Sequence, residues 1–131
     1  MSTGMTKTSV LDGVPRLPQW IAQMHDVTAT RAVDTPYRNN YGRPILCIVT
    51  VLSLRANVAA ACAYCTVNVD DVTPPLNNIT HGGFAMKDNN PDEGYFCMAF
   101  LVPTGLYYQV STAVIGVGSS ITLMYWIEVV I

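Results

Sequence analysis

From Tyr37 to the C-terminus, short runs rich in β-branched and aromatic residues alternate with clusters of Gly, Pro, Asn and Asp. Runs of that kind, bounded by turn residues, predict strands. The turn Asn39-Asn40-Tyr41-Gly42 opens the first of them, over 44–54, because Asn and Gly tolerate positive φ. Further strands are predicted over 60–69, 79–86, 95–102, 106–112 and 121–131. The separators are Asp70-Asp71 with Pro74-Pro75, a polar loop over 87–94, Pro103-Thr104-Gly105 and a Gly/Ser stretch over 116–120, all turn chemistry. With no long helical pattern beside them, these strands predict an all-β chain, an antiparallel β-sandwich of jelly-roll-like form.

Residues 1–36 differ in character. Pro15 and Pro18 restrict themselves and the residues before them, so regular structure is not expected ahead of Trp20. A short helical turn over 18–25 would set Trp20, Ile21 and Met24 on one side. The expectation is therefore an extended N-terminal arm, 1–36, that docks through Leu17, Trp20, Ile21 and Met24, followed by a sandwich domain over 37–131. The arm could lie on its own domain, a neighbouring subunit or another protein.

The last strand carries the sharpest pattern. From Tyr95 onward the only charged side chain is Glu128. Strict alternation places Leu123, Tyr125, Ile127, Val129 and Ile131 on one face and Thr122, Met124, Trp126, Glu128 and Val130 on the other. Both faces are largely apolar, which suits a strand covered on both sides. Packing of subunits around a symmetry axis would do this, with Leu123, Met124, Tyr125, Trp126, Ile127 and Val130 as the candidate oligomer interface. Alternatively, Met124, Trp126 and Val130 sit beneath the chain's own arm.

Composition sharpens the expectation of assembly. Charged residues make up 12% of the 131-residue chain and hydrophobic residues 50%, against about 25% charged in an average soluble protein. A chain so short of charge either covers its surface with other protein or relies on Ser, Thr, Asn and Gln. The net charge of −2 gives no steering toward nucleic acid. No signal peptide and no apolar run of membrane-spanning length is read, so no membrane partner is expected and the cysteines are expected to be reduced at synthesis.

Candidate chemistry is sparse. Cys62-Ala-Tyr-Cys65 has the spacing of redox and zinc sites, but its flanks read as a strand, where positions three apart face opposite ways. Cys47 and Cys97 stand singly, leaving buried free thiols, disulfides in an assembled particle, or a metal as readings. The loop Asp88–Gly94 has alternating oxygen donors but lacks the glycine and glutamate placement of a calcium loop. Asn78-Ile79-Thr80 matches a glycosylation sequon, and His25 and His81 have no evident nucleophile partner. No P-loop, nucleophile elbow or metalloprotease motif occurs. The expectation is a non-enzyme with no cofactor.

Three motifs in order resemble those of small bacteriophage virion proteins. After Thr28-Ala-Thr-Arg31, the stretch Thr35-Pro-Tyr37-Arg-Asn39-Asn-Tyr-Gly42-Arg-Pro44-Ile45 matches T-x-Y-x-N-x-x-G-[RK]-P-[IL]. Val102-Pro103-Thr-Gly105-Leu-Tyr107-Tyr108-Gln-Val110 matches V-P-x-G-x-x-Y-x-V. The chain ends in a W-x-E strand, Trp126-Ile127-Glu128. The resemblance spans residues 28–131 and implies a compact β-sandwich on the outside of a phage particle, trimeric in many cases, as capsid decoration, head fibre or tail-fibre tip. It implies localisation in the virion and other capsid or tail proteins as partners. A short arm without a repetitive shaft fits capsid decoration better than a long fibre. The alternative is a receptor-binding tip that contacts a host glycan through Tyr64, Tyr107 or Tyr108.

Overall fold

The computed structural model describes residues 23–56, 61–84 and 92–131, with side chains described outside 81–84 and 92. Eight strands run in order: β1 (Met24–Asp26), β2 (Tyr37–Arg38), β3 (Ile45–Arg55), β4 (Cys62–Asp70), β5 (Asn78–Phe84), β6 (Asp92–Val102), β7 (Tyr107–Ile115) and β8 (Ser120–Val130). They form two four-stranded antiparallel sheets, β1-β8-β3-β6 and β2-β7-β4-β5. Apart from the β4–β5 hairpin, each connection passes from one sheet to the other, which is the winding of a jelly roll. The sandwich expected from the strand pattern is the fold.

Period-two alternation builds the core. Along β3, Ile45, Cys47, Val49 and Val51 are buried while the residues between them are half-exposed. They face Cys65, Val67 and Val69 of β4, Met98, Phe100 and Val102 of β6, and Tyr108 and Val110 of β7. Trp126 of β8 completes this cluster with no exposed surface. Burying these side chains is the main drive for closing the sandwich.

Two short strands lie where an arm or turn was expected. Met24 and His25 belong to β1, paired with Val129 and Glu128, and are not part of a helical turn. The arm expected over 1–36 therefore already contributes a strand to the first sheet, and a single turn of 3-10 helix at Thr28–Thr30 follows it. Thr28 Oγ1 accepts from the Trp126 amide at 2.9 Å, which seats that turn against β8. Asp34 then adopts a φ of 58°, a left-handed conformation that Asp tolerates better than most residues. Its carboxylate accepts from both the amide and the hydroxyl of Thr112, so the β1–β2 connection is fastened to β7. Leu17, Trp20 and Ile21 lie outside the described residues, as does most of the loop 87–94.

A bulge changes which β8 residues point inward. Thr50 pairs with Tyr125 and Val51 with Leu123, leaving Met124 as an extra residue. Ile121 and Leu123 therefore pack on the core together with Trp126 and Val130, and Tyr125 and Ile127 point outward. The strict alternation predicted above holds only after the bulge.

Candidate functional site

The most distinctive cluster surrounds Glu128, which has no exposed surface. A buried carboxylate is costly unless it is paired and hydrogen-bonded, and here every donor has a sequence reason to be present. Trp126 and Glu128 are two apart on β8 and so share a face. Tyr108 reaches them from β7 in the opposite sheet, Arg31 from the 3-10 turn, and Tyr41 from the turn after β2. Glu128 Oε1 accepts from Arg31 Nη2 and the Tyr41 hydroxyl, each at 3.0 Å. Oε2 accepts from the Tyr108 hydroxyl at 2.6 Å and from Arg31 Nε and Trp126 Nε1, each at 3.1 Å. Tyr37 packs edge-on to Trp126 at 5.9 Å and lies under the Arg31 guanidinium at 4.6 Å. With its lone pairs engaged and no access to solvent, this carboxylate is a fastener between sheets, not a general base.

Asn39 is a second buried polar hub. Its side-chain amide donates to the carbonyls of Arg43 at 2.8 Å and Val102 at 3.0 Å, and its Oδ1 accepts from the Tyr41 amide. Its carbonyl accepts from the Gly105 amide, and Gly105 turns at a φ of 82°. The three motifs of the resemblance thus meet in space: Asn39 joins the first to Val102-Pro103-x-Gly105, and Tyr108 joins the second to Trp126-x-Glu128.

Burial and the Glu128 charge shift the neighbouring acids. Tyr41 is pushed up to about 12, first by burial and then by the Glu128 charge. Tyr108 moves the same way through burial and its hydrogen bond to Glu128. Cys65 is pushed up to about 11 by burial and the nearby Asp34 charge, and Cys47 rises through burial and the Glu128 charge. At Arg31 burial opposes the charge, but the hydrogen bonds and charge of Glu128 more than offset it and raise its proton affinity. These thiols and phenols hold their protons more tightly folded than unfolded. Their stabilising effect is complete below the ordinary values of 9.0 and 10.0 and is lost as pH rises through the folded ones. The urea midpoint is expected to decline above about pH 9, and Tyr108→Phe to make the decline from about pH 10 shallower. A midpoint that stays flat throughout the alkaline range contradicts this coupling.

All four cysteines are free thiols. Cys65 faces the core, Cys62 lies on the opposite side of β4 with its thiol 3.9 Å from the Ala113 carbonyl, and Cys97 is exposed on β6. Among the described residues no three His, Cys, Asp or Glu side chains are placed to hold a metal.

The two outer faces of the sandwich differ in chemistry. On the first sheet, Leu46 stands between Leu101 and Val129, Ile48 between Ala99 and Ile127, and Thr50 between Cys97 and Tyr125. Leu52 follows between Tyr95 and Thr122, and Leu54 between Glu93 and Ser120. Tyr95, Leu101 and Tyr125 are 66%, 58% and 59% exposed, so this apolar face meets solvent in the single chain. On the second sheet the corresponding rungs are Tyr64–Ala113, Thr66–Ser111, Asn68–Gln109 and Asp70–Tyr107, with an apolar rung, Cys62–Ile115, at the end where Ile115 is exposed. Along the polar rungs Asn68 donates to Asn78 at 2.7 Å and Gln109 to Ser111 at 3.2 Å, a polar lattice that suits water.

No significant match exists among protein-family models, curated proteins or solved structures. The site residues expected from sequence distribute unevenly. Of the candidate interface, Trp126 has no free surface in the single chain, and Leu123 and Val130 are partly buried against the core. Tyr125 and Ile127 face outward, and half-buried Met124 sits at the bulge. Tyr108 is fully buried and offers nothing to a glycan. Tyr64 and Tyr107 lie at opposite ends of the β4–β7 ladder, about 20 Å apart at ~3.3 Å per residue, and form no joint platform. Met24 lies 41% exposed at the border of the apolar face. Arg31 and Asn39 were not singled out by sequence as functional; the lone glutamate in an apolar strand was the signal for a buried cation partner.

Proposed function

We propose that this chain is a structural module on the exterior of a bacteriophage particle, a homotrimer that decorates or stabilises the capsid. In this reading the outer face of the first sheet forms the contact between copies, and the segment preceding β1, with Leu17, Trp20 and Ile21, grips other virion proteins. The observation that carries it is the contrast between the two outer faces. A monomer needs both faces wet, whereas a subunit needs one wet and one covered. The three-motif resemblance supplies the virion setting and the trimer. The jelly roll agrees with it, being a fold used by viral capsid domains as well as by lectins.

Light scattering of the purified chain is expected to give three times the 14.3 kDa chain mass at micromolar concentration. The pair Ile48→Lys and Leu101→Lys, both on the outer face, should yield a folded monomer with unchanged β circular dichroism. Cys97 gives an independent readout, because it is the exposed thiol of the four and lies on that face. A maleimide should label it slowly in the wild-type assembly and rapidly in the double variant. A wild-type chain that is monomeric and labels at once sinks the proposal.

A further inference from the structure

Beside the Glu128 cluster, on its solvent side, Arg31, Arg38, Asn40 and Tyr41 line a groove of about 180 Å³. We propose that this groove binds a small oxyanion, the carboxylate or sulfate of an acidic sugar residue. The proposal is independent of how the chain assembles, since none of these residues belongs to the apolar outer face.

Four features point to an anion. First, among the described residues the arginines with any exposure are Arg31, Arg38 and Arg43, all within residues 31–43, while Arg55 is buried. Second, the Arg31 charge is paired with Glu128, whereas Arg38 has no ion pair among the described residues. Third, both guanidiniums at the groove are held in place before any ligand arrives. Arg31 is fixed by its two bonds to Glu128 and by the Tyr37 ring beneath it. Arg38 donates through Nε to the Gly105 carbonyl at 3.0 Å and lies 5.8 Å from the centre of the Tyr107 ring. Fixing the cations in advance lowers the entropic cost of binding. Fourth, the hydrogen bond of Arg38 to the backbone uses Nε, and its two terminal nitrogens make no hydrogen bond among the described residues. A guanidinium edge is the geometry that grips carboxylate, sulfate or phosphate oxygens through paired hydrogen bonds.

Size and lining select the ligand further. Sites for drug-sized molecules run to about 300–1,000 Å³, so this groove takes one small unit. The Asn40 amide can serve sugar hydroxyls as donor or acceptor. The Tyr41 ring, stacked on His25 at 5.3 Å, offers an apolar face beside the charges. An anion flanked by hydroxyls and a nonpolar ring face is the chemistry of an acidic sugar, more than that of bare phosphate or sulfate.

Titration of the isotope-labelled full chain with glucuronic acid, glucose, inorganic sulfate and inorganic phosphate, followed by amide and arginine Nε–H resonances, tests this. Glucuronate should produce saturable shifts at Arg38, Asn40 and Tyr41 with a dissociation constant of about 1 mM or tighter, and glucose none. Arg38→Gln should weaken glucuronate binding about tenfold or more. Asn40→Ala, at an exposed turn position, should also weaken it and serves if Arg38→Gln perturbs the turn at Gly105. Binding of sulfate or phosphate without glucuronate overturns the sugar assignment. Equal binding of glucose and glucuronate, or no shift with any of the four, overturns the site.

Discussion

Glu128→Ala is expected to destabilise the fold by about 3–5 kcal/mol, the usual consequence of removing one partner of a buried pair. The charge of Arg31 would lose its counterion, and the Tyr108 hydroxyl and Trp126 indole N–H would lose their acceptor. Glu128→Gln should retain part of this stability, since one oxygen still accepts, but its amide nitrogen would meet donors already in place. The informative variant is the double change Arg31→Met with Glu128→Leu. Replacing both partners removes the desolvation cost with the attraction, so the loss should be well below that of Glu128→Ala alone. Urea denaturation monitored by circular dichroism measures all three. A loss under about 1 kcal/mol for Glu128→Ala would mean that water reaches the carboxylate in solution.

Trp126→Ala should cost a comparable ~3–5 kcal/mol for a different reason. The ring fills the space where the two sheets meet the β1–β2 connection, 5.9 Å from Tyr37 and 6.3 Å from Tyr108. Removing it opens a cavity that the surrounding strands can only partly close. Trp126→Phe isolates the indole N–H: most packing survives and one hydrogen bond to Glu128 is lost, so a loss of about 1–2 kcal/mol is expected. Because Trp126 and Glu128 share that bond, their alanine variants should not add; the double variant should lose less than the sum. Strict additivity would show that the two side chains act independently.

The six long strands were legible because their interiors alternate and their ends carry Gly, Pro, Asn or Asp. β1 and β2 were not, since strands of three and two residues have no period to read. They are strands because β8 and β7 offer partners distant in the sequence. The parity of β8 was misread before residue 124 for a related reason. Ile121, Leu123, Tyr125 and Ile127 are all apolar, so no polar residue marks where the bulge reverses the faces. Tyr107 and Tyr108 pose the same problem as neighbours: one must point in and one out, and only the opposing sheet decides which. The isolated Glu128 was visible as the single charge of the C-terminal region, but Arg31 is 97 residues away and nothing local links them. Only the part of the outward apolar face that β8 contributes could be read from that strand. The contribution of β3 and β6 and the polar character of the opposite face required the topology.

At the margin of the first sheet, β6 pairs on one side with β3, and among the described residues no strand pairs with its other side. From Tyr95 to Val102 this strand carries no charge and no proline, two of the devices by which proteins blunt an open row of amide and carbonyl groups. Such a stretch is a template for stacking on identical strands. A newly made chain therefore faces a race between correct partnering and fibrous association, and the second gains as free subunits accumulate. Slow expression at low temperature should yield soluble protein where rapid overproduction yields insoluble β-rich material. Glu93, at the start of β6, is the one side chain described there that opposes such stacking.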